Sequence, residues 1–128
     1  MEWIDVSGCI ELDAADLIFT DNIMASCWHS GVRLPARRCG DDEVHKRNVA
    51  HSISGYGVIV HQGAGSCSEF SNFSGYKNRI ATVHMAGGTG SATNIVRDIV
   101  SVDSKNGLIA LGTSNGRVEV YDSKFYGG

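Results

Sequence analysis

Five histidines and four cysteines among 128 residues are the side chains of this chain best suited to covalent or acid–base chemistry. Cys27 and His29 lie two apart in a strand-like run and so share one face, where an imidazole can withdraw a thiol proton. Pairs among His29, His45, His51, His61 and His84, with His51 and His84 foremost, are the candidates for a general acid and base. On those residues the chain reads as a small hydrolase or phosphate-ester enzyme. Histidines and cysteines together also ligate metals, but no CxxC or other tight ligand spacing is present, so no metal is assigned. Asp13 and Asp16 lack the central glycine and closing glutamate of a calcium loop. The cysteines Cys9, Cys27, Cys39 and Cys67 stand in a chain without a visible export signal, and free buried thiols are expected.

Two stretches could receive phosphate. Gly87, Gly88, Gly90 and Ser91 form a glycine-rich turn that would cradle phosphates if a helix followed, although neither the Walker lysine nor the third glycine of a dinucleotide site is there. The segment that follows, Ile95 to Val102, is rich in β-branched residues and is expected to be a strand, not a helix. Arg33, Arg37, Arg38, Lys46 and Arg47 carry five of the eleven basic charges. With Pro35 and Gly40 between them they read as a loop, reinforced by His45 and His51, and Asp41 or Asp42 would cap a short helix running toward Ala50.

The elements that must position these groups are strands. Sixteen glycines against one proline, with 42% apolar and 20% charged residues, describe a single β-rich domain with many turns. A formal charge of −3 argues against general nucleic-acid binding. No segment approaches a membrane-spanning helix, so no membrane partner is expected and a cytoplasmic setting follows. Ile10/Leu12 with Ile4/Val6 suggests a hairpin, Ile23 to Trp28 returns through Val32 to Leu34, and Tyr56 to His61 and Arg79 to Met85 are further strands. Asn106-Gly107 and Asn115-Gly116 read as type I′ turns, giving an antiparallel meander of Ile99–Val102, Leu108–Leu111 and Arg117–Tyr121.

From Val96 to Asp122 the pattern resembles part of a WD-repeat blade, with Tyr121-Asp122 standing where that family has Trp-Asp. The resemblance implies a propeller-like fold and a scaffold role. Since closure takes about four or more blades, either copies or partners complete the ring or the meander belongs to a different β fold. The expected architecture is all-β or β-dominated, a barrel, sandwich or propeller-like piece. The expected function is a non-enzymatic binding or assembly module, working through strand edges and Gly/Ser/Asn-rich loops. Its contacts would include Arg37, Arg38, Lys46, Arg47, Arg117 and Tyr121, its partner another protein or a second copy, with a phosphate-bearing ligand as a lesser alternative and no cofactor.

Overall fold

The computed structural model describes residues 8–61, 66–86, 92–111 and 117–127. All of the regular structure there is β-strand. The first coil contains β1 (Gly8–Glu11), β2 (Phe19–Thr20) and β3 (Ile23–Ala25). A second follows with β4 (Ser30–Pro35), β5 (Arg37–Arg38), β6 (His45–Lys46) and β7 (Asn48–His51). Then come β8 (Tyr56–His61) with β9 (Cys67–Tyr76), and β10 (Ala81–Ala86) with β11 (Thr93–Val102). The last coil holds β12 (Asn106–Leu111), β13 (Arg117–Tyr121) and β14 (Lys124–Tyr126).

Strands pair with their counterparts one coil away. The first sheet runs β1-β4-β8-β10-β12, the second β13-β11-β9-β7-β3 with β14 also on β11, and β2 pairs β6. Every one of these pairings is parallel; β5 against β9 is the antiparallel exception. Val58 stands opposite Val32 and Val83, and Val83 opposite Leu108, so one coil takes about 25 residues. The chain is a parallel β-solenoid.

Its corners are set by backbone conformation. The non-glycine residues with positive φ fall into two columns that recur once per coil. One is Asp21, Arg47, Asn72, Asp98 and Asp122; the other is Ser26, Ser52, Lys77 and Asp103, continued by Gly127. Asp and Asn tolerate this left-handed region best because a short polar side chain can bond locally, and they fill most of the first column. β9 and β11 bend at Asn72 and Asp98, so each contributes to two sides of the coil.

Inside, the columns are apolar. Val32, Val58 and Val83 are fully buried in one, Leu34, Val60 and Met85 are at most 1% exposed in the next, and Phe70 and Val96 close the opposite side. One inner corner is polar. Asn78 accepts from the Ile53 amide and donates to the Ala50 carbonyl and to Thr82 Oγ1; its own amide donates to Ser104 Oγ. Thr82 Oγ1 also meets Ser101 Oγ at 2.7 Å, so these buried groups satisfy one another across adjacent coils. Backbone must come close here: a Cβ on Gly57 would stand 2.6 Å from the Thr82 carbonyl oxygen.

Several expectations are corrected. The architecture is neither propeller, barrel nor sandwich, because the strands pair in parallel between coils. The Asn106-Gly107 pair is not a hairpin turn: it opens β12, where Asn106 Nδ2 donates to the Ile80 carbonyl at 3.0 Å and the bare Gly107 leaves room for the Phe125 ring. Asn115-Gly116 and the first half of the proposed Ile4–Leu12 hairpin lie outside the described residues. β3 and β4 belong to different sheets instead of forming a hairpin. The helix expected after Asp42 is replaced by β6 and β7, whose residues join the ladders of the neighbouring coils. The cysteines are paired, Cys9 with Cys27 and Cys39 with Cys67.

Gly57→Ala is expected to lower stability by about 1–3 kcal/mol, because the colliding atom is backbone and cannot rotate away; the urea midpoint measures it, and an unchanged midpoint would refute the close approach. Replacing Cys39 and Cys67 together by serine should cost about 2–4 kcal/mol by freeing the unfolded chain. Thiol labelling of the denatured, unreduced protein should find no reactive cysteine.

Candidate functional site

Along β8, Val58 and Val60 point inward, which turns Ile59 outward between them. Yet Ile59 is only 5% exposed. It is covered by side chains that the parallel register gathers from three strands. Arg33 on β4 and His84 on β10 stand on either side of Ile59 in one column, and His61 and Tyr56 come from β8 itself. The Tyr56 and His84 rings stack with centroids 4.7 Å apart and planes at 22°, and His29, just before β4, meets the other side of the group edge-on at 5.6 Å from Tyr56.

Arg33 Nε donates to His61 Nε2 at 2.8 Å, so that nitrogen carries a lone pair and the imidazole is neutral there. Burial pushes the His61 pKa below the usual histidine value, the Arg33 charge pushes it further, and Glu11 opposes both. His84 is also held below its ordinary value, first by burial and then by His29 and His61. Its Nδ1 is buried with no hydrogen-bond partner.

The other candidates are placed elsewhere. Cys27 is bonded to Cys9, so its sulfur is not a thiolate for His29 to activate. His51 lies on the second sheet, stacked on Tyr76 at 4.5 Å with its Nδ1 3.1 Å from Ser52 Oγ, and is not brought to His84. His45 points inward, edge-on to Phe19; burial lowers its pKa against the opposing Leu17 carbonyl bond. Among the described residues, no group of three or more His, Cys, Asp or Glu could hold a metal ion. Gly87, Gly88, Gly90 and Ser91 lie outside the described residues.

The basic run is dispersed. Arg37 pairs with Glu69 at 2.6 Å, and Arg97 approaches the same carboxylate at 3.6 Å while lying over the Tyr121 ring. Arg47 is bidentate on Asp21, one coil away in the corner column, and the Asp21 carboxyl is thereby held below its ordinary value. Arg117 pairs with Glu119, which accepts from the Tyr121 hydroxyl and raises that phenol's pKa. Arg38 lies exposed on β5 and Lys46 half-buried on β6.

A second distinctive place is the last described coil. Among the described residues β12 and β13 pair with the preceding coil only. Val120 is 43% exposed, although its register partner Val96 is fully buried, and Phe125 is 44% exposed beside Ser101 at 2%. In the first coil Phe19 and Met24 are buried while Leu17, Ile18, Ile23 and Trp28 are exposed, and the edge strands there are short. Tyr56 and Ile59 were missed as site residues because only the inter-coil register unites them with Arg33 and His84; the signal would have been the recurrence of strands about 25 residues apart.

No family model, no curated protein and no solved structure matches the chain. Among the described residues no helix is long and apolar enough to cross a membrane.

Three histidines with lowered folded pKa values give a signed pH dependence. Between the unfolded value near 6.5 and the lower folded values, the unfolded chain binds more protons, so this stability is complete above about pH 6.5 and is lost as pH falls. The thermal midpoint should therefore drop between about pH 7 and pH 5, and less steeply in His45→Phe. A midpoint that stays level or rises would contradict the assignment.

Proposed function

We propose that this chain is a non-enzymatic assembly module whose open terminal coil docks a second copy of the same chain, tail to tail. The carrying observation is that Val120 and Phe125, inward-facing in the last coil, are 43% and 44% exposed where their neighbours in the preceding coil are buried. Such an edge offers unpaired backbone and uncovered apolar surface together, which is what strand addition uses. The first coil buries Phe19 and Met24 but exposes Leu17, Ile18, Ile23 and Trp28, and its edge strands β2 and β3 are only two and three residues long, so a head-to-tail contact would meet shorter strand edges than those of β12 and β13. A two-fold contact uses the open edge twice and closes.

Exposed Val100, Val102, Tyr126 and Tyr76 run along the second sheet toward that end and extend the apolar surface. The edge includes β13, whose Arg117 and Tyr121 were expected at a docking surface. The paired cysteines support an oxidising setting in place of the cytoplasmic one expected from sequence.

Light scattering during size-exclusion chromatography over a dilution series checks the reading. The 128-residue chain should run as a dimer that dissociates on dilution, and Val120→Lys should be a monomer with an unchanged circular-dichroism spectrum. A wild-type monomer at every concentration, or a dimer untouched by Val120→Lys, would sink it.

A further inference from the structure

We propose that the first sheet's outer face is an oxyanion-binding site, in which Arg33, His61 and His84 hold a carboxylate, sulfate or phosphate group above Ile59, walled by Tyr56 and His29. Arg33 forms no ion pair among the described residues and, unlike Arg38 and Arg79, which form none either, it is held by a side-chain hydrogen bond to a histidine. Arg37, Arg47, Arg97 and Arg117 each have a carboxylate oxygen within 3.6 Å. Among the described residues Arg33 has none, although Glu11 occupies the adjacent position in register. Its hydrogen bond runs through Nε to a histidine, and its two terminal amino groups have no partner among the described residues. Those amino groups form the fork that carboxylate and phosphate oxygens fit.

The imidazoles complete the arrangement. His61 is oriented by Arg33, and His84 is fixed by its stack on Tyr56 with one nitrogen unpartnered. Three histidines and a guanidinium on one sheet face repel one another as they protonate, and a bound anion relieves that repulsion. Binding of the anion therefore raises the histidine pKa values and strengthens as pH falls. The titratable or charged groups facing this cluster are Glu11 on β1, Arg33 on β4, His29 before it, Tyr56 and His61 on β8, and His84 on β10. Ile109 on β12, next to His84 in register, adds no charge. Although His84 borders β12, none of the ligand contacts is among the residues whose exposure carries the proposed dimer, so the two proposals are tested by separate variants.

The test follows the imidazole NMR signals of the intact chain while sodium sulfate, phosphate or acetate is added, at about pH 5.5 and about pH 7.5. Sodium chloride at matched ionic strength controls for screening. His61 and His84 should shift saturably with at least one oxyanion, with tighter binding at the lower pH; acetate against sulfate and phosphate separates a planar from a tetrahedral site. Arg33→Gln should weaken binding by about tenfold or more, as expected for a lost charged hydrogen bond. If that variant does not fold, His84→Phe, which keeps a ring on Tyr56, must still weaken binding severalfold. Equal shifts with chloride, no saturable shift with any anion, or unchanged affinity in a folded variant would each overturn the proposal.

Discussion

A coil of about 25 residues in this chain has no interior of its own. Val58 and Val60 are hidden because Val32 and Leu34 lie on one side of them and Val83 and Met85 on the other, and the same holds around the whole circuit. Burial and backbone pairing are thus the same act, since the ladder that joins two coils also seals the side chains between them. For this to repeat, each coil must return to the same place after nearly the same number of residues. The two columns of left-handed corners, from Asp21 to Asp122 and from Ser26 to Gly127, perform that return.

The constraint extends to the polar interior. Asn78, Thr82, Ser101 and Ser104 would be costly inside a two-layer core, where a buried polar group needs a partner from a different element. Here the neighbouring coils supply partners at ladder spacing, and Asn48 does the same at the other corner, accepting from the Asn22 amide and donating to the Phe19 carbonyl. The disulfides add to this: Cys39 to Cys67 joins successive coils, and Cys9 to Cys27 ties β1 to the corner that leads into β4. Glycine marks where the backbones come too close for a side chain.

Parallel stacking also determines what the surface can offer. Residues about 25 apart become neighbours, so chemistry is written across coils and not along a loop. Arg47 meets Asp21 and His51 lies flat on Tyr76 by this route, whereas Arg37 meets Glu69 across the antiparallel β5–β9 pair. The same rule brings Arg33, His61 and His84 together, with Glu11 the carboxylate in register beside Arg33 but not paired with it. Among the described residues the last coil pairs on one side only, and there Val120 and Phe125 are exposed.

By itself the sequence determined that the chain is β-rich, and it located several strands, among them Tyr56–His61 and Arg117–Tyr121, because β-branched residues and period-two alternation are local properties. Strand identity for Ile95–Val102 followed in the same way. What strands pair with is not local. Asn106-Gly107 satisfies the requirements of a hairpin turn and equally those of a strand start beneath Ile80 with room for Phe125, and only the neighbouring coil distinguishes them. Likewise His51 and His84 are both plausible bases in the sequence, while the sheet to which each belongs sends one to Tyr76 and the other to Tyr56. The tertiary structure alone decided the direction of pairing, the disulfides and the company each histidine keeps, because these depend on a register between residues a full coil apart.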